Sequence, residues 1–477
     1  MKKLLLLFCF LTITSRLFAQ QFAQYNTGTL FDSFENPAER SFIPDSSRMF
    51  ASNFFLPNYS GNVLLTGDAQ QTIKTRAFLS EYNNRLLRIG NGTNYNYFNA
   101  NSNAYALMFK FFASLDGKEE VGFFIQNKAS SHGAVTDETV ALLNGSAAFP
   151  DNSYTNVFNS NIQYQVYNQV GVTYREQVDK HFSLGVKLAY VMGIQYQSIN
   201  INQSAITFDK AADTASLYLK GSHYETDPKV SPIRNPGASI SIGGIYRTND
   251  GFSIQGNIKD LGFIYWTENA RSYNFENITG IYGLMTSERE NNVTNALKIV
   301  DTYHPNYNHF STPLDGTAEL SVSHTYFLGD ENTIKYSPVL IASKELFYNG
   351  FTGGMVNPVQ IKNYTISLTT EYNELRIFEF GGQFMIKGPN SEFFIGSDRL
   401  FQSARLVLAA TKNQKQIDEV GAFSGGAITI GASFKFGPVI EHPMNASNVP
   451  MGDDDKGFVG RFLQKIFNPN KGAIKAN

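Results

Sequence analysis

The sequence predicts an all-β protein, an antiparallel transmembrane β-barrel of about 14 strands with a few helical loop insertions, and three observations point to it. Long runs alternate apolar with polar or small side chains. The alternation recurs along most of the chain. An export-type leader opens the chain, and no later stretch supplies the roughly 18 consecutive apolar residues that a helix crossing a bilayer requires.

Lys2 and Lys3, the apolar run Leu4 to Ile13 and the site Leu17-Phe18-Ala19 read as a secretory signal over residues 1–19. Residues 20–48 lack alternation and hold Asn36-Pro37-Ala38, whose proline disfavours regular pairing, so they are expected to be irregular. A first strand is expected around Met49 to Leu65, followed by helical spacing from Thr72 to Leu87. A second helix should start at Thr136, where Asp137 and Glu138 suit the positive N-terminal end.

The strongest strand is Phe182 to Tyr196. Phe182, Leu184, Val186, Leu188, Tyr190, Met192, Ile194 and Tyr196 occupy every even position, against Ser183, Gly185, Lys187, Ala189, Val191, Gly193 and Gln195. About 15 residues exceed both the roughly 5–6 of a soluble strand and the roughly 9–11 that cross a bilayer. The same pattern runs through Ile162 to Arg175, Ser239 to Arg247, Phe252 to Ile258, Glu319 to Tyr326, Asn363 to Tyr372 and Ile428 to Phe436. Hairpin signals at Leu115-Asp116-Gly117-Lys118 and Thr248-Asn249-Asp250-Gly251 join neighbours. Ile281 to Tyr303 reads as a helical loop over one rim. The barrel is thus expected over residues 49–437, and an even strand count would put both of its ends in the periplasm.

After Phe436 the alternation stops, and residues 438–477 form a tail. Asp453-Asp454-Asp455 ahead of Phe458, Val459, Phe462, Leu463, Ile466 and Phe467 describes a short amphipathic helix, suited to packing on its own protein, to lipid or to a periplasmic partner.

Composition agrees. A mean hydropathy of -0.23 would pass for a soluble protein, because averaging along a barrel strand cancels its two faces. The better sign is 40 Phe and 25 Tyr against the single Trp266, since aromatic girdles sit at lipid headgroups. A net charge of -2 argues against nucleic acid as a partner. The one cysteine, Cys9, lies in the leader, so the mature chain has no thiol chemistry. The seven His are scattered without metal-ligand spacing, and neither a Gly-x-Ser-x-Gly elbow nor a phosphate-binding Gly loop occurs. No catalytic residue, metal or cofactor is expected, and the chain is read as no enzyme.

Function is therefore sought on the polar face of the strands, where Arg175, Lys187, Gln195, Glu319, Glu371 and Lys435 are the candidate lumen-facing binding residues. Asp260 is expected to cap a turn, Gly262 to allow close packing and Trp266 to sit at a membrane interface.

Four segments in order carry a family resemblance: Asn36-Pro37-Ala38; Val186-Lys187-Leu188-Ala189-Tyr190-Val191-Met192-Gly193-Ile194; Ile258-Lys259-Asp260-Leu261-Gly262-Phe263-Ile264-Tyr265-Trp266; and Phe393-Phe394-Ile395-Gly396-Ser397-Asp398-Arg399-Leu400. Together they resemble an uncharacterised Bacteroidota family of outer-membrane barrels, a domain of unknown function. That family is distantly similar to long-chain fatty-acid transporter barrels and to barrels associated with type IX secretion. Asn36, Pro37, Ala38, Asp260, Leu261, Gly262, Trp266, Ser397 and Asp398 are its motif residues, read as structural. Arg399 stands where relatives are expected to carry Asn. The resemblance implies an outer-membrane location in contact with lipid and passive binding or passage of a small, apolar molecule. Asn36-Pro37-Ala38 has two readings: it stiffens the entry into the first strand or, as in fatty-acid transporter barrels, belongs to an N-terminal segment that plugs the lumen. The alternative is a scaffold or secretion accessory that holds partners through its loops and tail.

Overall fold

In the computed structural model, residues 27–43, 46–114, 118–228, 234–300, 307–329, 333–348, 350–411 and 423–440 are described. The expected leader and the expected helix of the tail lie outside the described residues.

Period-two alternation builds a ring of long antiparallel strands. In chain order they are β1 (Arg48–Ser52, continued by Asn58–Thr66), β2 (Tyr95–Phe112), β3 (Glu119–Thr136), β4 (Asn161–Gln177), β5 (Phe182–Asp209), β6 (Pro236–Arg247) and β7 (Phe252–Trp266). There follow β8 (Thr317–His324), β9 (Val339–Glu345), β10 (Phe351–Ile361), β11 (Tyr364–Asn373), β12 (Phe378–Lys387), β13 (Ser391–Ser397) and β14 (Phe423–Val439). Each pairs antiparallel with the next. The ring closes where β14 pairs with β1, from Arg48 opposite Val439 to Thr66 opposite Phe423. The result is a closed antiparallel barrel of 14 strands, with both ends of the barrel chain at one rim.

Closure pairs the strands of the ring on both sides over most of their length, and the two faces divide as the alternation requires. Val170, Val172, Leu188, Tyr190, Ile242, Leu320, Ile366 and Ile428 are exposed on the outside, while Gln169, Thr173, Arg175, Lys187, Ser241, Glu319, Thr369 and Lys435 are buried in the lumen. This is the reverse of a soluble core, and an apolar solvent around the wall accounts for it.

Several irregularities break the alternation, among them a shift at Ala106 of β2 and one between Ile201 and Gln203 of β5, and three bear on the site. The first strand is interrupted at Asn53 to Pro57, where Phe54 and Phe55 take φ of 45° and 62° and the Asn53 side chain accepts a hydrogen bond from the Met108 amide at 2.8 Å. In β5 a bulge inserts Ile194: Gly193 pairs with Tyr167 and Gln195 with Val166. In β7 a second bulge falls between Ile258 and Leu261, with Asp260 at φ 48°. A bulge shifts every later side chain to the other face.

Helix expectations hold with shifted bounds. The first helix after β1 is Gln70–Leu79, stopped by Ser80 in the left-handed region at φ 59°. Thr136 caps the helix Asp137–Leu142. Within the span Ile281 to Tyr303, Ile281 and Tyr282 instead end a strand, and the helix is Arg289–Leu297. That strand, Arg271–Tyr282, pairs with Thr214–Glu225, which pairs with the far half of β5. The three rise beyond the rim and bury Phe149, Phe208, Leu217, Phe275 and Val293 in an apolar core.

Candidate functional site

Among the described residues, the barrel lumen is occupied by the segment 27–43. Its short helix, α1 (Leu30–Glu35), begins at Thr29, whose hydroxyl accepts from the Asp32 amide, while the Asp32 carboxylate accepts from the Gly28 amide at 3.0 Å. Leu30, Phe31 and Phe34 face an aromatic cluster, with Phe31 5.6 Å from both Tyr105 and Phe394 and Phe34 5.8 Å from Phe124.

Asn36-Pro37-Ala38 ends this helix in a side-chain turn. The Asn36 carbonyl oxygen accepts from the Ala38 amide at 3.1 Å, and its amide nitrogen donates to Gln255 at 3.0 Å. Two glycines on the wall make room, since a side chain at Gly185 would collide with the Pro37 carbonyl and one at Gly243 with the Asn36 side chain. The motif therefore specifies a turn that seats the segment against β5 and β6.

The wall holds the segment with charges. Arg175 donates to the Ala38 carbonyl at 2.9 Å, Lys110 to the Ser33 carbonyl at 3.2 Å, and Lys387 to the Thr27 and Gly28 carbonyls. Glu392 accepts from the Leu30 amide at 2.9 Å and pairs with Lys435 at 3.0 Å. Glu120 accepts from the Ser41 amide at 3.1 Å, while Lys110 and Arg175 flank it at 3.4 and 3.6 Å. In return Glu35 accepts from Tyr105 at 2.8 Å and Asn103 at 2.9 Å, and Glu39 pairs with Arg247 at 3.0 Å. A cavity of about 170 Å³ remains between α1 and the wall, bordered by Asp32, Glu35, Lys128, Lys259, Asp260 and Glu319.

Of the six candidate lumen residues, Arg175 touches the segment directly and Lys435 acts through Glu392. Lys187 stands behind the aromatic cluster, donating to Tyr105 at 2.8 Å and Gln126 at 3.0 Å. Glu319 borders the cavity and pairs with Lys259 at 2.9 Å. Glu371 is buried elsewhere in the lumen, in a group with Asp398, Glu379 and Arg399, and among the described residues neither of its carboxylate oxygens has a hydrogen-bond partner. Gln195 does not face the lumen. The Ile194 bulge places it opposite Val166 on the outer face and turns Tyr196 inward.

The β7 motif also differs from expectation. Asp260 caps no turn: the bulge turns it and Lys259 into the lumen, where Asp260 pairs with Lys128 and accepts from Gln169 at 3.0 Å. Leu261 then points outward, and Gly262 packs so closely on β6 that a side chain would strike the Ala238 carbonyl. Trp266 lies at no membrane interface. It is fully buried with Tyr167, Val191, Tyr196 and Ile264, and its indole nitrogen donates to Thr312 at 2.9 Å. Ser397 ends β13 and Asp398 follows it, the Ser397 hydroxyl accepting from the Arg399 amide at 3.2 Å. Sequence reasoning passed over Lys110, Glu120, Lys128, Lys259 and Glu392. Their signal is a charged residue on the polar phase of an alternating strand.

Among the described residues, no group of three or more His, Cys, Asp or Glu could hold a metal ion.

A closed barrel with its own N-terminal segment docked in the lumen defines the class: a plugged β-barrel. The chain belongs to a family of unknown function, DUF5723, whose model matches residues 50–398, so Asn36-Pro37-Ala38 lies ahead of the matched span. No curated protein matches it. Among solved structures it is similar to the toluene transporter TbuX of Ralstonia pickettii, at 9% identity and TM-score 0.41 over 85% of this chain and 94% of that one. It is similar to a Pseudomonas aeruginosa FadL homologue at 10% identity and TM-score 0.39, covering 85% and 94%. The translocator domain of the autotransporter NalP from Neisseria meningitidis is similar at 7% identity and TM-score 0.32, covering 82% and 90%.

Proposed function

We propose that the protein is an outer-membrane barrel that binds or passes a small molecule and is gated by its N-terminal segment. The observation that carries this reading is the mode of docking. Residues 27–43 are held chiefly by side chains that grip backbone groups, and the segment leaves a polar cavity beside it. Such contacts can be exchanged for water one at a time as the segment shifts.

The cavity qualifies the cargo. An apolar molecule, which the family likeness implies, would have to pass between Lys128, Lys259, Asp260 and Glu319, at a desolvation cost to each charge. A molecule with a polar group at one end and an apolar body suits this route better. Export past an inner membrane and contact with outer-membrane lipid follow from the leader and the apolar outer face.

The second reading, a scaffold or secretion accessory, is favoured by how fully side chains and the N-terminal segment fill the lumen. One experiment separates the two. Deleting residues 20–47 and measuring uptake of small apolar and amphiphilic dyes should raise permeability, more for the amphiphile. Unchanged permeability in a barrel that still shows heat-modifiable migration would sink the gated reading and leave the scaffold.

A further inference from the structure

Most charges buried in the lumen meet an opposite charge, and the cavity beside α1 is where that balance fails. It spans the lumen from Asn62 of β1 and Asn103 of β2 to Glu319 of β8 and Glu345 of β9. Six carboxyl groups border it, those of Asp32, Glu35, Asp260, Asp315, Glu319 and Glu345, against the ammonium groups of Lys128 and Lys259. Lys187 and His132 stand close behind. With both of these counted as cations and Asp32 as a neutral acid, five acids still face four cations.

The pairings show where the excess lies. Lys128 pairs with Asp260, and Lys259 pairs with Glu319 at 2.9 Å and Glu35 at 3.6 Å. Asp315 has its Oδ2 3.5 Å from His132 Nε2, and its Oδ1 has no hydrogen-bond partner among the described residues. Glu345 is 5% exposed, and among the described residues it forms no ion pair and its Oε2 accepts no hydrogen bond. Lys344, next along β9, takes the other phase of the strand.

Strand pairing brings these two acids to one place. Glu345 ends β9 opposite Thr317, the first residue of β8, and the Leu346 amide donates to the Gly316 carbonyl at 2.8 Å. Asp315 therefore enters β8 at the end where Glu345 closes β9. A carboxylate taken out of water with no positive charge at hand is costly, and a cation bound beside it lowers that cost.

We propose that Glu345 and Asp315 bind the ammonium group of a small organic cation in this cavity, an inference that rests on the reading of the barrel as one that binds or passes a small molecule. An anion would compete for Lys128 and Lys259 with the acids that already hold them. A metal ion suits the site poorly, because no group of three or more acids or His among the described residues could close around it. It would also leave most of the cavity unfilled, since about 170 Å³ has room for roughly ten waters at about 10–15 Å³ each. An ammonium group brings three donors to the two carboxyls. Phe31 and Tyr167, which also border the cavity, offer apolar surface to its carbon chain.

The full chain in phosphatidylcholine vesicles, which carry no net charge, tests this by equilibrium dialysis at neutral pH against hexylammonium, hexanoate and hexanol, with empty vesicles as background. Hexylammonium should bind about tenfold or more tightly than the other two. Glu345→Gln and, independently, Asp315→Asn should each weaken it about tenfold, as expected for one charge-assisted hydrogen bond, with folding checked by heat-modifiable migration. Glu276→Gln, which removes an exposed acid from the extension above the rim, should leave it unchanged. Equal binding of the three compounds, binding that either folded cavity variant leaves unchanged, or a loss that Glu276→Gln matches would overturn the site. Displacement of hexylammonium by an equal concentration of sodium or calcium chloride would overturn it in favour of an inorganic ion. Absence of binding by all three would overturn the site alone, because dye uptake by the variant lacking residues 20–47 does not depend on Glu345 and decides the gated reading separately.

Discussion

One strand, β5, runs through two regions of the molecule and buries opposite chemistry in each. In the barrel wall Lys187 is 4% exposed and its neighbour Leu188 is 49% exposed. Above the rim Ile206 and Phe208 are 1% and 3% exposed, while Thr207 and Asp209 face outward. The period is the same, and what differs is the medium each face meets. Above the rim water drives apolar groups together, as in a soluble core. In the wall, on the proposed reading that the outer face meets lipid, the outer medium is as apolar as leucine, so burial of apolar groups offers little, and the lumen is filled by charges that compensate one another.

Substitutions that sharpen this contrast should differ most where charge is buried. Glu120→Ala leaves the ammonium of Lys110 and the guanidinium of Arg175 without their shared acid. Breaking a buried pair from one side costs about 3–5 kcal/mol. The expected outcome is a lower unfolding midpoint in detergent and faster proteolysis of residues 27–43. The next contrast is between equivalent aliphatic groups. Ile206→Ala should cost about 2–5 kcal/mol, read as loosening of the extension by hydrogen exchange. Leu188→Ala, whose side chain meets lipid in both variants, should leave the unfolding midpoint nearly unchanged.

The pH response of the segment is smaller and has a definite sign. Asp32, on α1 rather than on a strand, is pushed up to about 7, by burial first and then by the Glu39 carboxylate. An acid raised on docking contributes stability at low pH that is lost as pH rises through about 7. Glu35 runs the other way. Burial alone would raise it, but the ammonium groups of Lys259, then Lys128 and Lys187, hold it at about 2. Its contribution is present above the ordinary carboxylate value and is lost only as pH falls toward about 2, so it stays constant near neutrality. Residues 27–43 should therefore be more accessible to protease at pH about 8 than at about 5.5. Asp32→Asn should abolish that difference.

The barrel was legible because its alternation is long and repeated, and the polar phase of each strand identified Arg175, Lys187, Glu319, Glu371 and Lys435 as buried lumen residues. A lumen plug is what the family resemblance implies, and Asn36-Pro37-Ala38 by itself reads equally as a stiff entry into the first strand. The grip on the segment was legible in neither reading, because Gly185 and Gly243 read as ordinary strand glycines until the segment that approaches them is in place. The extension above the rim was hidden for a related reason: a strand carries no mark of the medium around it, so the far half of β5 looks like more wall. The helix Leu400–Thr411 was passed over because its leucines and phenylalanine follow closely on a strand, although Ser397 and Asp398 mark the break between them.

Bulges set the remaining limit, and the one at Ile194 in β5 is the sharpest test of how the wall is read. In β7 the slip leaves a trace: Ile258 and Leu261 are both outward yet three residues apart, with Lys259 and Asp260 between them. In β5 it leaves none, since Ile194, Gln195 and Tyr196 continue the alternation unbroken while the pairing skips Ile194. An amide and a phenol can each be accommodated on either face, so composition does not choose between them, and the choice falls to the packing of Tyr196 against Trp266, 5.7 Å between ring centres. Gln195→Cys distinguishes the two registers with almost no change in stability. Because Cys9 lies in the expected leader, the introduced thiol is the single one in the mature chain. In vesicles it should react with a lipid-soluble maleimide and resist a water-soluble one, and Tyr196→Cys should resist both. Reaction of Gln195→Cys with the water-soluble reagent alone would place it back in the lumen and remove the bulge.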